Sequence, residues 1–171
     1  MARLFTIGYE GSDVDQLIET LKNLKVEVLA DVRELPLSRK KGLSKTGLAE
    51  NLAEVGIKYI HFKQLGDPKA GREAAKRGDY QLFERIYLNH LHSHGAQVEL
   101  ASLLRVASDS TSCMMCFERC ATTCHRSYIA DLAANAGFIV HNVTADDPKK
   151  YLRNDIRIPR YNPRQGLTAA E

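Results

Sequence analysis

The residues of this chain best suited to chemistry fall in two short segments, Cys124-His125-Arg126-Ser127 and Asp31-Val32-Arg33. In the first, a thiol, an imidazole, a guanidinium and a hydroxyl follow one another where a turn is expected to enter a helix near Arg126 or Ser127. The first backbone N–H groups of a helix lack partners and favour an anion. A thiolate there is stabilised by the helix dipole and adjacent cations, which lowers a thiol pKa below its free value. Cys124 is therefore the candidate nucleophile, and His125, Glu10 and Glu118 are the candidate acids, bases or further reactive groups. Tyr9, Asp31, Arg33, Ser38, Arg39, Arg126 and Ser127 make up the candidate substrate-binding set, chosen for anion-binding character. A plainer reading stands beside this one: Cys124 as a small packing residue, and Arg33 and Arg126 as members of a buried network with Glu10, Asp31 or Glu118.

Cys120 to Arg126 also has the Cys-x5-Arg-Ser spacing with which cysteine phosphatases wrap a phosphate around a thiolate, but its loop lacks the glycines that allow close backbone approach. All four cysteines, Cys113, Cys116, Cys120 and Cys124, lie in one segment, which argues against a disulfide framework and for reduced thiols. Cys113 and Cys116 sit in an apolar strand, where alternation points them to opposite faces. Zinc ribbons bring two Cys-x2-Cys knuckles together and this chain has one, so no residue is assigned as a metal ligand. A partial set of Cys116, Cys120, Cys124 and His125 is the alternative, giving a metal, redox or sulfur-transfer site. No cofactor is specified.

These residues need a scaffold. Arg3 to Ile7 reads as a first strand closed by Gly8, and Ser12 or Asp13 can cap a helix with Val14, Leu17, Ile18, Leu21 and Leu24 at helical spacing. Val26 to Ala30 is a second strand that delivers Asp31 and Arg33. A basic loop with Arg39-Lys40-Lys41 precedes a helix carrying Leu48, Leu52 and Val55, which Gly56 ends. Ile57 to Phe62 is a third strand, and the stretch Lys69 to Gly78 reads as polar and mobile. Helices follow from Asp79 and, after a break at Gly95, through Val98 to Val106. Ser112 to Phe117 is a continuous apolar run expected at the centre of a sheet, and Phe138 to Val143 is the last strand. Strands alternating with helices predict an α/β fold: a single three-layer domain over residues 1–144 with a mostly parallel five-stranded sheet and helices on both faces. Residues 145–171 read as a basic C-terminal tail. In such sheets a ligand sits outside the carboxyl ends of the strands, where the unusual residues of this chain are expected to meet.

The chain has 171 residues, 44% of them hydrophobic and 26% charged, as in a folded globular domain. No apolar run reaches the roughly 20 residues that span a bilayer, and the amino terminus does not read as a signal peptide, so a cytoplasmic protein without a membrane partner is expected. A net charge of +3 permits an acidic partner without demanding one.

The segments Thr6-Ile7-Gly8-Tyr9-Glu10, Asp31-Val32-Arg33 with Pro36 and Ser38-Arg39, Gly56-Ile57-Lys58-Tyr59, Leu65-Gly66, Cys116-Phe117-Glu118 and Cys124-His125-Arg126 together resemble the domain of unknown function 488 family. The resemblance implies a compact α/β domain and marks the same strand ends, and it implies no established reaction. In the family pattern a charged residue and a proline often stand where this chain has Cys120 and Ala121, which makes Cys120 a poor nucleophile. The expectation is an enzyme acting on a phosphate-bearing small molecule, a nucleotide or a nucleic acid, with a non-catalytic nucleic-acid-binding module and a cysteine-based metal or redox site as alternatives.

Overall fold

The structure is a computed structural model that describes residues 2–146 and 151–154. Its strands are β1 (Arg3–Gly8), β2 (Val28–Asp31), β3 (Lys58–His61), β4 (Ser112–Cys116), β5 (Ile139–Thr144) and β6 (Tyr151–Asn154). The helices are α1 (Val14–Asn23), α2 (Lys45–Glu54), α3 (Lys69–Lys76), α4 (Tyr80–Leu91), α5 (His94–Asp109) and α6 (Arg126–Asn135). One sheet runs in the order β3-β2-β4-β1-β5-β6, with the first five strands parallel. β6 is antiparallel to β5 and lies within the segment read as a tail. Arg153 belongs to β6, whereas Lys149, Lys150, Arg157, Arg160 and Arg164 lie outside the described residues.

β4 is buried along its whole length because helices cover both of its faces. Alternation sends Cys113 and Met115 into one core with Phe5, Ile7, Leu17 of α1 and Leu52 of α2. It sends Met114 and Cys116 into the other, with Phe83 of α4, Leu103 of α5 and Ile129 of α6. The two thiols thus face opposite layers, as their spacing requires. α1 starts at Asp13, whose carboxylate accepts from the Gln16 N–H at 2.8 Å while the Gln16 side chain accepts from the Asp13 N–H at 3.0 Å, a reciprocal cap. Among the described residues no helix is long and apolar enough to cross a membrane.

Two segments depart from expectation. Lys69 to Lys76 is a helix, and its buried residues include Gly71 and Ala74, too small to leave a hydrophobic period in the sequence. The break between α4 and α5 falls at His92-Ser93 instead of Gly95, because the Ser93 hydroxyl accepts from the Ala96 N–H at 3.4 Å and so starts α5.

β1 and β4 are neighbours, but α1 leaves β1 toward one face and α6 follows β4 on the other, so the connections diverge at their carboxyl ends and open a crevice. The loop after β4 is pulled across the end of β1: Tyr9 N–H donates to Cys116 O at 3.3 Å and Glu10 N–H to Phe117 O at 2.8 Å. Gly8 permits this crossing, since a Cβ there would lie 1.7 Å from the Glu118 carbonyl oxygen. Gly8→Ala is therefore expected to destabilise the protein by about 3 kcal/mol, the upper range for overpacking, seen as a lower urea midpoint in an equilibrium melt. An unchanged midpoint would show that the loop is not held against the strand.

Candidate functional site

A cavity of about 900 Å³ opens over the carboxyl ends of β1, β2 and β4. Tyr9 after β1, Arg33 to Lys40 after β2, Cys116 to Glu118 after β4 and His125 at the entry to α6 all contribute to its wall. The glycine-tyrosine exit, the aspartate-arginine bend and the imidazole turn therefore meet on one rim. The fourth side comes from the β3–α3 connection and α3 itself, through Asp67, Arg72 and Lys76, and from α4 through Tyr80 and Phe83.

The aspartate-arginine bend is closed on itself. Asp31 is fully buried, and its carboxylate accepts from Arg33 Nε at 2.9 Å and Nη2 at 2.7 Å, from the Arg33 N–H at 3.1 Å and from Tyr59 OH at 2.5 Å. Arg33 Nη1 donates to Tyr9 OH at 3.2 Å and Leu43 O at 2.9 Å, with the guanidinium over the Tyr9 ring. Burial, together with the adjacent Asp31 carboxylate, pushes the Tyr59 phenol well above its ordinary value. Arg33 touches the cavity, yet nearly all its donors are engaged, so it shapes the wall and anchors the basic loop.

Arg126 is buried deeper still, with no exposed surface, and faces the sheet instead of the cavity. Its Nε donates to Thr6 Oγ1 at 3.1 Å, Nη1 to Cys116 Sγ at 2.9 Å and to Glu118 O at 2.5 Å, and Nη2 to Arg119 O at 3.2 Å. No carboxylate forms an ion pair with it among the described residues. Ser127 is likewise buried and its hydroxyl donates to Cys124 O at 2.9 Å. Glu10 is exposed and accepts from the Arg119 N–H at 3.1 Å, outside the cavity lining. Cys120 pairs with Thr122 Oγ1 at 2.9 Å, away from the other thiols. Cys124 lies behind His125, 2% exposed. Of the substrate-binding candidates, Tyr9, Arg33, Ser38 and Arg39 line the cavity, and Asp31, Arg126 and Ser127 support it from behind.

The ionisable groups that do face the cavity sit in contrasting environments. His125 has Nε2 at 2.7 Å from Val32 O, and a carbonyl only accepts, so Nε2 carries the proton and Nδ1 points at Cys124 Sγ, 3.6 Å away. Burial works against the Glu118 carboxylate, but its electrostatic interaction with His125 and hydrogen bonds from its own backbone and the Cys124 and Cys116 thiols hold it below the usual carboxylate range. Burial pushes the Cys116 thiol well up. Asp67 is pushed up to about 7, chiefly by burial, and its Oδ1 has no hydrogen-bond partner. Its neighbour Arg72 is turned to Glu34 and donates to Asp67 O at 2.5 Å. Asp67, Arg72 and Lys76 were not legible as site residues, because the segment after Pro68 carries no apolar period; the turn Leu65-Gly66-Asp67-Pro68 at a strand end was the available signal.

A family model described as Domain of unknown function DUF488 matches residues 13–133, which run from the cap of α1 into α6 and include the greater part of the cavity wall. No curated protein and no solved structure matches the chain.

Two outcomes follow from this geometry. Native Asp67 keeps its proton up to about 7 whereas an unfolded aspartate releases it near 4, so stability falls as pH rises across that window. Asp67→Asn removes the penalty, and the melting temperature of the variant relative to the parent should be higher at about pH 8 than at about pH 5; equal differences would contradict the assignment. Arg33→Ala strands a buried carboxylate and should cost about 3–5 kcal/mol by urea denaturation, with a large part recovered when Asp31→Asn is added. Additive losses in the double variant would mean the two side chains act separately.

Proposed function

We propose that this chain, which belongs to the family described as Domain of unknown function DUF488, is an acid–base enzyme acting on a nucleotide or a nucleic-acid segment bound in the cavity at the strand ends. The observation that carries this reading is the union of three properties around one opening. Leu35 and Leu37 are exposed by 54% and 70% and Phe117 by 45%, an apolar shelf at the mouth. Arg39, Lys40 and Lys76 stand beside it, and neither the Arg39 nor the Lys76 side chain has a hydrogen bond or ion pair among the described residues. Behind the mouth lie Asp67, Glu118 and His125. A ligand with a flat apolar part and an anionic part satisfies the shelf and the cations together, as a base and its phosphate do.

In this reading phosphate contact falls to Arg39 and Lys76, since Arg33 and Arg126 spend their donors inside the protein and Lys40 Nζ donates to Ser12 O at 2.7 Å. Asp67, with a proton affinity near neutrality, is suited to give or take a proton, and Glu118, held ionised, is suited to stabilise developing positive charge. Cys124 as nucleophile is not supported, because it is buried behind His125.

Calorimetric binding of a nucleoside, its monophosphate and a short single-stranded oligonucleotide tests this. Phosphate should be required, and removing Arg39 and Lys76 together should weaken binding at least tenfold and flatten the salt dependence by about one unit of slope per cation. Equal binding of nucleoside and nucleotide, or no binding at low salt, would overturn the reading. Turnover of the bound species, lost in Asp67→Asn with binding retained, marks an enzyme; tight, salt-dependent binding without turnover in the parent marks a non-catalytic nucleic-acid module instead.

A further inference from the structure

Three side chains meet beside the inner wall of the cavity in a way the acid–base reading does not use. Cys116 Sγ, a Glu118 carboxylate oxygen and Cys124 Sγ all lie within 4.8 Å of one another. We propose that Cys116, Glu118 and Cys124 form a binding site for one divalent, thiolate-preferring cation, with zinc as its representative. Bond lengths of about 2.3 Å to sulfur and about 2.0–2.2 Å to oxygen or nitrogen put neighbouring donors of a tetrahedral zinc site roughly 3.3–3.8 Å apart. Cys116 Sγ and Glu118 Oε2 already stand 3.3 Å apart. The fourth position stays open, with the His125 ring beside it: Nδ1 lies 3.6 Å from Cys124 Sγ, while Nε2–H is held by Val32 O at 2.7 Å. Metal-bound imidazoles are oriented in this manner, one nitrogen free for the ion and the other donating to a backbone carbonyl.

Charge supports the same conclusion. The Arg126 guanidinium is wholly buried, with no carboxylate ion-paired to it among the described residues, and it donates to Cys116 Sγ at 2.9 Å. A metal-bound thiolate commonly accepts such a hydrogen bond from its second shell. Ligand thiols bind as thiolates, so two thiolates and one carboxylate contribute three negative charges. One divalent ion and one guanidinium contribute three positive ones, which makes the buried cluster neutral. Two thiolates select a borderline or soft ion over magnesium or calcium. Cys116, Glu118 and His125 line the cavity, so an ion has an entry path and a face open to a further ligand. Glu118 takes the place that the spacing alone would offer to Cys120, whose thiol is turned to Thr122.

Reduced full-length protein without an affinity tag, titrated with cobalt(II) and then competed with zinc(II), tests the site without any nucleotide present. The expected result is one ion per chain, with intense near-ultraviolet bands from thiolate-to-cobalt charge transfer that zinc abolishes. Cys116→Ser and Cys124→Ser should each weaken binding at least tenfold and reduce those bands, whereas Cys120→Ala should leave both unchanged. Cobalt bound without charge-transfer bands, or bands that survive both cysteine variants, would overturn the proposal. If either cysteine variant fails to fold, Glu118→Gln decides: at least tenfold weaker binding with the bands retained supports the site, and unaltered affinity and spectrum overturn it. Because no phosphate ligand enters the measurement, its failure leaves the nucleotide reading standing, and failure of the nucleotide binding test leaves this one standing.

Discussion

Everything around the cavity depends on a buried guanidinium. Arg126 reaches from the first turn of α6 into the sheet and donates to Thr6 on β1, Cys116 at the end of β4 and two carbonyls of the following loop. Thr6 in turn donates to Asn142 on β5 at 2.7 Å, so one side chain and its partners bind three adjacent strands to a helix start. An unpaired buried charge costs several kcal/mol, and such a group persists only when every donor is satisfied. That requirement fixes where the Glu118 and Arg119 carbonyls must point, and the loop has nowhere to go but across Gly8.

Asp31 and Arg33 perform the same service on the neighbouring strand pair. Their bidentate pair, closed by Tyr59 and Tyr9, holds the end of β2 and, through Leu43 O, the far end of the basic loop. The two most conspicuous arginines are thus consumed by architecture. Cations left for a ligand are Arg39 on the loop and Lys76 on α3, whose side chains are exposed, whereas Lys40 Nζ donates to Ser12 O at 2.7 Å. Rigid charges shape the opening and flexible ones face it, a division consistent with sites built on strand ends and selected by loops.

The fold was readable where apolar periodicity was strong. Val14, Leu17 and Leu21 announce α1, the Cys-Met-Met-Cys run announces a strand buried on both faces, and Gly56 and Gly137 mark helix ends with positive φ. It was unreadable at α3, where the packed residues are Gly71 and Ala74 and close approach replaces bulk. There the Asp67 carboxylate fills the space a Cβ on Gly71 would need, with Oδ1 only 2.1 Å from that position. The sixth strand was missed for a related reason, since Tyr151 to Asn154 is short and sits among the charges of a segment read as a tail.

By itself the sequence determined the α/β class, the parallel order of alternating strands and helices, and the strand ends at which polar groups gather. These follow from local rules, namely hydrophobic period, caps and turn residues, which act over a few positions. Only the tertiary structure decided which of the gathered side chains face the opening. Residues adjacent in sequence part company there: His125 lines the cavity, while Arg126 beside it is sealed into the sheet and Cys124 is covered. The physical reason is that a side chain's direction at a turn depends on which distant acceptors can neutralise it. For Arg126 those acceptors, Thr6 and Cys116, are brought beside α6 by the pairing of β1 with β4.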